Sequence, residues 1–598
     1  MQANKMKKSL LIILVLTCLI ESCNMKQQGN DQKKIDKVFN EFHEEYLKLN
    51  PLTATVSGDK RYNDTLPNNI SQAYRELVKE FYTRYKNIMK GFDDKKLTPE
   101  QKMSKEILIR ECEINLEGLK YPLYLTPIDQ FWSLNIAIGQ VAGGKGAQPF
   151  KTFKDYYNWI KRIDDYMEWC DTAIANMRKG IELGYVLPES LIKKIIPQME
   201  SFSHGPVEEH IFYLPVKNIP ADFTDKEKEE IKKDYVSMIN NKIIPKYTLL
   251  TGFFKNEYLP SGRKTSGIKD LPNSEGMYDY FIRYNTTTSL TADKIFEIGK
   301  NEIERISSLM NELIYSMGFK GTLSEFNKHV ENNRDLMPFT EPQQVIDHFN
   351  AIYEEMKPKL NELFDLVPKT GFEVRQTEKF REKTASAEYN QGSFDGIRPG
   401  IFYVPVPDAA KYNIYSDEDL FLHEAIPGHH FQISLQQENK DLPAFRKMLW
   451  NSAFGEGWAL YCESLGKELG LYKDPYQYYG MLSSEMHRAI RLVVDVGIHE
   501  KGWSREDAIE FSKKYEPLTD NEIIAEIERY MAFPGQALSY KIGQIKILEL
   551  RAKAEKELGD KFDIKEFHNQ MLSSGCLPLD LLEIKINKWI DEVNPVKS

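Results

Sequence analysis

Between residues 423 and 430 the chain reads His-Glu-Ala-Ile-Pro-Gly-His-His, and a regular helix is not expected to run through it. The residues before it favour helix. Ser416 is a cap residue, and Asp417, Glu418 and Asp419 fill a first turn where negative charge suits the helix dipole. His423 and Glu424 then fall on the second turn. Pro427 has no N–H for the carbonyl of His423, and its ring presses on that carbonyl. Gly428 adds flexibility. A kink or bulge is expected inside a segment that holds three of the chain's eleven histidines and a carboxylate.

The octapeptide begins as the pattern H-E-x-x-H does. In that pattern two histidines one helical turn apart bind zinc and the glutamate acts as base. Here Pro427 stands in the second histidine's place. On an undistorted helix His429 would be rotated by roughly 120° from His423, and His430 would lie on the right face but about 10 Å further along the axis. If Pro427 and Gly428 loop out as an insertion, His429 becomes the second ligand. His430 then sits behind the ligands or faces substrate. This is the preferred reading, with His430 left open as the alternative ligand. The bland alternative is a kinked structural helix whose histidines cap or pack.

A catalytic zinc site wants three protein ligands and one open position. The segment Asn451 to Glu463 supplies two carboxylates. Glu456 lies between Gly455 and Gly457, where backbone or substrate can approach closely, and is the expected third ligand. Glu463, two turns on, is the second candidate or a partner for a ligand histidine. From Arg488 to His499 polar residues punctuate an apolar run. Arg491 either pairs with Asp495 at helical spacing or, like Arg488, reads a substrate carboxylate. His499 is expected to be a transition-state donor rather than a core histidine. Pro534-Gly535 is a second turn that opens a helix, with Gln536 and Tyr540 one turn apart. A Tyr540 hydroxyl near the metal would stabilise an oxyanion.

Elsewhere helical signals dominate. Ile35, Val38, Phe39, Phe42, Tyr46 and Leu47 recur at helical spacing. Thr98-Pro99-Glu100-Gln101 and Ser504-Arg505-Glu506-Asp507 read as capped helix starts. Segments 222–248 and 291–316 read as amphipathic helices. The clearest strand is Gly400 to Val404, and Pro405 and Pro407 mark it as an edge strand. The expected fold is mainly α, a large helical domain with a small β-sheet. At 598 residues and 41% apolar the chain can bury a large core. A net charge of -10 argues against nucleic acid. Beyond residue 23 the cysteines are Cys112, Cys170, Cys462 and Cys576, with no C-x-x-C pair, so buried thiols are expected.

At the N-terminus Lys5, Lys7 and Lys8 precede an apolar run from Leu10 to Ile20, which has signal-peptide length and is short for a bilayer span. Leu19-Ile20-Glu21-Ser22-Cys23 resembles a bacterial lipobox. Residues 1–22 are therefore expected to be a lipoprotein signal peptide, with Cys23 lipidated and 23–34 a tether. Residues 35–598 form one helical domain, with a scaffold half 35–390 and a site-bearing half 391–598. The expected location is an exported, membrane-anchored one, periplasmic or cell-surface.

Taken together these segments resemble the bacterial family known as domain of unknown function 885, over nearly the whole mature chain. The resemblance includes Pro51-Leu52-Thr53-Ala54-Thr55 with Gly58, and Tyr284-Asn285-Thr286-Thr287-Thr288 with Leu290-Thr291-Ala292. It continues through Asp395-Gly396-Ile397-Arg398-Pro399-Gly400 to the HEAIPGHH, EGWALY, RLVVDVGIH and PGQALSYKIG segments, with Val496 where the family would have threonine. The family is similar to zinc peptidases of the thimet-oligopeptidase and Taq-carboxypeptidase types. This implies a helical zinc-peptidase-like fold with a deep channel, and a strand beside the metal helix that binds extended peptide.

The expected function is hydrolysis of short peptides. His423, His429 and Glu456 would hold zinc, and Glu424 would act as base and then acid. Tyr540 and His499 would serve the oxyanion. His430, Tyr403, Arg398, Arg488, Arg491 and Gln536 would face substrate, Tyr403 within a strand that pairs with the peptide. Exopeptidase or endopeptidase action and oligomeric state are left open. The alternatives are a lipid-anchored peptide-binding protein without turnover and a zinc hydrolase of a non-peptide amide.

Overall fold

Amphipathic helices build most of the molecule, and their apolar faces meet as their spacing predicts. The computed structural model describes residues 29–595 except 145, 378–381, 383–385, 395 and 397. The expected signal peptide and Cys23 lie outside these residues. A helix over residues 29–49 buries Ile35, Phe39, Phe42 and Leu47 and packs its phenylalanines against Phe81, Tyr85 and Phe445. It starts within the segment read as a tether, where Asp31 pairs with Lys96 at 3.0 Å. Capping boxes at Thr98 and Ser504 open the Pro99–Gly118 and Arg505–Tyr515 helices. The amphipathic segment at 291–316 is one helix, Ala292–Ser316.

The apolar core falls into two clusters. One lies between Leu66 and Tyr258 and centres on Trp159, Tyr166, Trp169 and Tyr235. The larger draws on side chains from Ile35 to Ile590 and includes Phe421, Leu422, Ile426 and Phe431 around the histidine segment. All four described cysteines are buried free thiols. No described helix is long and apolar enough to cross a membrane.

One sheet of three strands stands beside that segment, in the order β1-β3-β2. Strand β1 is Phe372–Gln376, β2 is Glu388–Asn390 and β3 is Gly400–Val404. β1 runs parallel to β3, and β2 antiparallel, with Tyr389 opposite Phe402. β3 is thus the central strand, which corrects the edge assignment drawn from its prolines. Pro405 and Pro407 lie beyond Val404, so every residue of β3 keeps its N–H and both sides can pair.

Two glycines set the spacing of the helices behind the site. Ser452–Ser464 and Leu538–Leu558 cross where Gly457 faces Gly543. A Cβ on Gly543 would stand 1.8 Å from the Ala453 carbonyl oxygen, and one on Gly457 2.4 Å from the Gly543 carbonyl carbon. Only hydrogen fits at that crossing. The contact brings the turn that carries Glu456 close to the turn that carries Tyr540.

Candidate metal centre

The break forced by Pro427 and Gly428 is complete. The Asp417–Glu424 helix ends, Ala425 leaves helical geometry, the Ile426–Pro427 bond is cis, and a new helix, His429–Glu438, begins. A Cβ on Gly428 would lie 2.0 Å from the His423 carbonyl oxygen, so the chain turns back on the carbonyl that proline left without a donor. The Trp458 indole N–H donates to the Pro427 carbonyl at 2.9 Å and ties the loop to the Ser452–Ser464 helix. Ser416 stands at the cap position, but its side chain makes no cap bond; the Gln477 amide oxygen accepts from the Glu418 N–H at 3.1 Å instead. Asp417 and Asp419 are buried rather than solvated dipole partners, and Asp417 accepts from the Tyr412 hydroxyl at 2.9 Å.

This break brings His423 and His429 together, with ring centres 4.7 Å apart and planes at 86°. Both present Nε2 to Glu456, whose Oε2 lies 3.6 Å from His423 and 3.4 Å from His429. Ligand atoms of the three residues lie within 4.8 Å of one another. Two ligands of a tetrahedral ion at zinc's usual bond lengths stand about 3.4 Å apart. The donor set and its spacing therefore fit a divalent cation.

The surroundings call for positive charge at this point. Burial opposes a charged imidazole, yet Glu456 and Glu463 carry the His423 pKa up to about 10. Burial would raise the Glu456 pKa, but His429 and His423 hold it well below the usual carboxylate range. The His423 Nδ1 meets Glu463 Oε1 at 2.7 Å, which leaves Nε2 toward Glu456. Glu463 is thus the histidine's partner, the second of its two expected roles. Glu463→Gln should weaken zinc binding by about 10- to 100-fold, as loss of such partners does. Competition against a chromophoric chelator measures this, and an unchanged affinity rejects the role.

Glu424 follows His423 and is half-buried. Burial raises its pKa against the pull of His423 and His429, and the main chain of β2 at Tyr389 acts in the same direction as the histidines. Trp450, 42% exposed, lies with its ring centre 5.8 Å from that of His429. It was not singled out in the sequence, although Gly455, whose missing side chain makes room for its ring, was a signal for it.

Tyr540 enters through the Pro534-Gly535 turn. Asp495 fastens that turn by accepting from the Gly535 N–H at 3.0 Å and from the Tyr278 hydroxyl at 2.6 Å. Burial still raises the Asp495 pKa to about 7. The Arg491–Asp495 pair does not form. Arg491 turns to Glu526 and to the Tyr530 hydroxyl, each at 3.0 Å, and stacks on Tyr540. Burial and the nearby Glu456 raise the Tyr540 pKa, so its hydroxyl keeps its proton as a donor.

Other expected site residues lie elsewhere. His430 is 1% exposed, wedged between its helix and the sheet, with Nδ1 3.0 Å from the Tyr389 hydroxyl and the Phe372 ring beside it. It is neither ligand nor substrate-facing: the second helix starts at His429, and the next side chain is rotated about 100° from it. His499 is a core histidine. Its Nδ1 accepts from the Ile268 N–H at 3.3 Å, and its Nε2 lies 2.9 Å from the Tyr530 carbonyl oxygen. Arg488 stands behind His423, 4.0 Å from that histidine's partner Glu463. Arg398 is exposed and lines a separate cleft with residues such as Phe150 and Lys151. Tyr403 lies in β3, whose main chain is already paired on both sides. Gln536 accepts from Arg529 at 2.7 Å.

Burial lowers the pKa of His499 to about 3, and likewise that of His568, which bonds the Tyr461 hydroxyl and the Leu363 carbonyl. Unfolded histidine titrates near 6.5, so below that pH the unfolded chain takes up protons that the native state refuses. Stability is fully present above about pH 6.5 and is lost toward pH 3, by up to about 1.4 kcal/mol per pH unit for each group. Thermal midpoints should therefore fall from pH 6.5 to 5, with a shallower slope in His568→Gln. An equal slope in the variant rejects the assignment.

A model of a bacterial protein family of unknown function, DUF885, matches residues 51–586. Among curated proteins none matches the chain. The chain is similar to the solved structure of a candidate lipoprotein from Colwellia psychrerythraea, with 27% identity, a TM-score of 0.86 and coverage of 94% of this chain and 99% of that one. A candidate lipoprotein of unknown function from Shewanella oneidensis shares the fold, at 18% identity and TM-score 0.71, over 92% of this chain and 99% of that one.

Proposed function

The chain belongs to the DUF885 family of bacterial proteins of unknown function, and we propose that it is a zinc-dependent peptidase acting on short peptides. The carrying observation is the His423–His429–Glu456 group with the half-buried Glu424 beside it. Zinc, when bound there, supplies Lewis acidity toward a water and a carbonyl oxygen. Glu424 takes the proton of the attacking water and passes it to the leaving amine. Tyr540 donates its hydroxyl proton in a hydrogen bond to the developing oxyanion. Glu463 orients His423, and Trp450 gives a substrate side chain an apolar wall.

Strand addition belongs to β2 rather than to β3, because no described strand covers the outer side of β2 and Tyr389 of that strand lies close to Glu424. Lipid anchoring through Cys23, with the site outside the inner membrane, is part of the same proposal. The lipobox-like sequence supports it, as do the two structural relatives described as candidate lipoproteins.

Protein lacking residues 1–23 should carry about one zinc per chain by elemental analysis. It should hydrolyse a mixed library of short peptides, lose that activity to a chelator and regain it with zinc. A folded protein that takes up no zinc rejects the site. A zinc-loaded protein that cleaves no peptide rejects the activity, and turns attention to peptide binding without turnover or to another amide.

A further inference from the structure

Two guanidinium groups beside Tyr540 share one carboxylate. Arg529 grips Glu526 through Nε at 3.0 Å and Nη2 at 2.8 Å, and Arg491 reaches the same group through Nη2 at 3.0 Å. The Arg491 Nε donates to the Tyr530 hydroxyl, and the Arg529 Nη1 to Gln536. The Arg491 Nη1 is buried and has no partner, in a residue only 7% exposed. Nearby acids are otherwise engaged. Glu516 bonds His487, which also lies 3.4 Å from Glu526, and Asp495 is held by Gly535 and Tyr278. A buried guanidinium that has to share its counter-ion and leaves a donor unfilled is costly unless an anion completes it.

That unfilled donor has a defined neighbour. The Arg491 guanidinium carbon lies 4.5 Å from the centre of the Tyr540 ring, and Tyr540 is the partly exposed side chain that feels the charge of Glu456. The Gly457–Gly543 crossing brings the turn of Tyr540 close to the turn of Glu456. An extended peptide advances about 3.3–3.6 Å per residue, so a group held beside Tyr540 belongs to a residue near the scissile bond.

We propose that Arg491 receives a substrate carboxylate, so that the site selects peptides carrying an anionic group close to the bond that is cut. This inference rests on the peptidase reading. A free C-terminus and an acidic side chain both supply the chemistry, and the test separates them. Three probes suffice: acetyl-tetra-alanine as the free acid, its C-terminal amide, and the amide with glutamate as the last residue. The free acid should be cleaved with kcat/KM about 100-fold above the plain amide, the order expected for a charge-assisted bond. If the glutamate-bearing amide matches the free acid, the anchor accepts a side-chain carboxylate as well. If it alone is fast, the side chain is the source.

Arg491→Gln should collapse the ratio of free acid to amide toward one while zinc content is kept. Since Arg491 is buried and the variant could fold poorly, a second measurement keeps Arg491 in place. Zinc-loaded Glu424→Gln protein should bind the free acid at least about 10-fold more tightly than the amide in calorimetry. Equal rates and equal affinities for the three peptides overturn the anchor and leave the peptidase reading standing. If none is cleaved or bound, both fail.

Discussion

Glu424→Gln will hold about as much zinc as the unaltered protein and lose peptide hydrolysis by about 10²- to 10⁴-fold, the usual contribution of a positioned acid–base group. The amide has the size of the carboxyl, so the loop and the histidines should keep their places. What it cannot do is take a proton from water. The loss should fall on kcat, with KM little changed, because the group is needed in the transition state more than in binding. Steady-state kinetics and elemental analysis on the same preparation test this together. Full activity in the variant rejects Glu424 as the base. Loss of zinc along with activity would place it among the ligands instead.

His429→Ala and His430→Ala will separate the two neighbouring imidazoles. Removing His429 leaves His423 and Glu456 as ligands, and the chain should no longer retain zinc through dialysis or gain thermal stability from added zinc. Removing His430 breaks its contact with the Tyr389 hydroxyl and opens space against Phe372. That should cost about 1–3 kcal/mol of stability, as expected for a buried polar group with its partner orphaned. The zinc itself should stay. Binding to the native state alone raises the melting midpoint, so the zinc-induced shift is the readout, present in His430→Ala and absent in His429→Ala. The reverse pattern would exchange the roles of the two histidines.

Much of the candidate site could be read locally. The helix break at Pro427-Gly428 follows from a missing N–H and a ring that crowds a carbonyl, both properties of the residues themselves. The grouping of Glu456 with the histidines followed from its place between two glycines. Those glycines serve different purposes: Gly457 admits the Leu538–Leu558 helix, while Gly455 admits the Trp450 ring. Where the reading failed, a residue had several partners of the right kind. His499 in a sequence looks the same whether it faces substrate or, as found, the Ile268 N–H and the Tyr530 carbonyl. Of the two roles open to Arg491, the pair with Asp495 one turn away does not form, and its carboxylate is Glu526 on another helix. Helical spacing ranks the neighbours on one helix and says nothing about those on the next.

The sequence by itself determined the family, the mainly helical build and the break that puts a second histidine beside the first. Those follow from periodicity, capping residues and the covalent limits of proline and glycine, which act over a few residues. Only the tertiary structure decided which imidazole joins His423, which carboxylate stands with the two histidines and which bonds His423 from behind, and that β3 lies inside its sheet. These depend on packing between segments far apart in the chain. The Gly457–Gly543 crossing brings the turn of Tyr540 toward the turn of Glu456, and the new helix start at His429 turns His430 toward the sheet. Burial then settles the charges, since a buried carboxylate or imidazole takes the protonation state its neighbours can support.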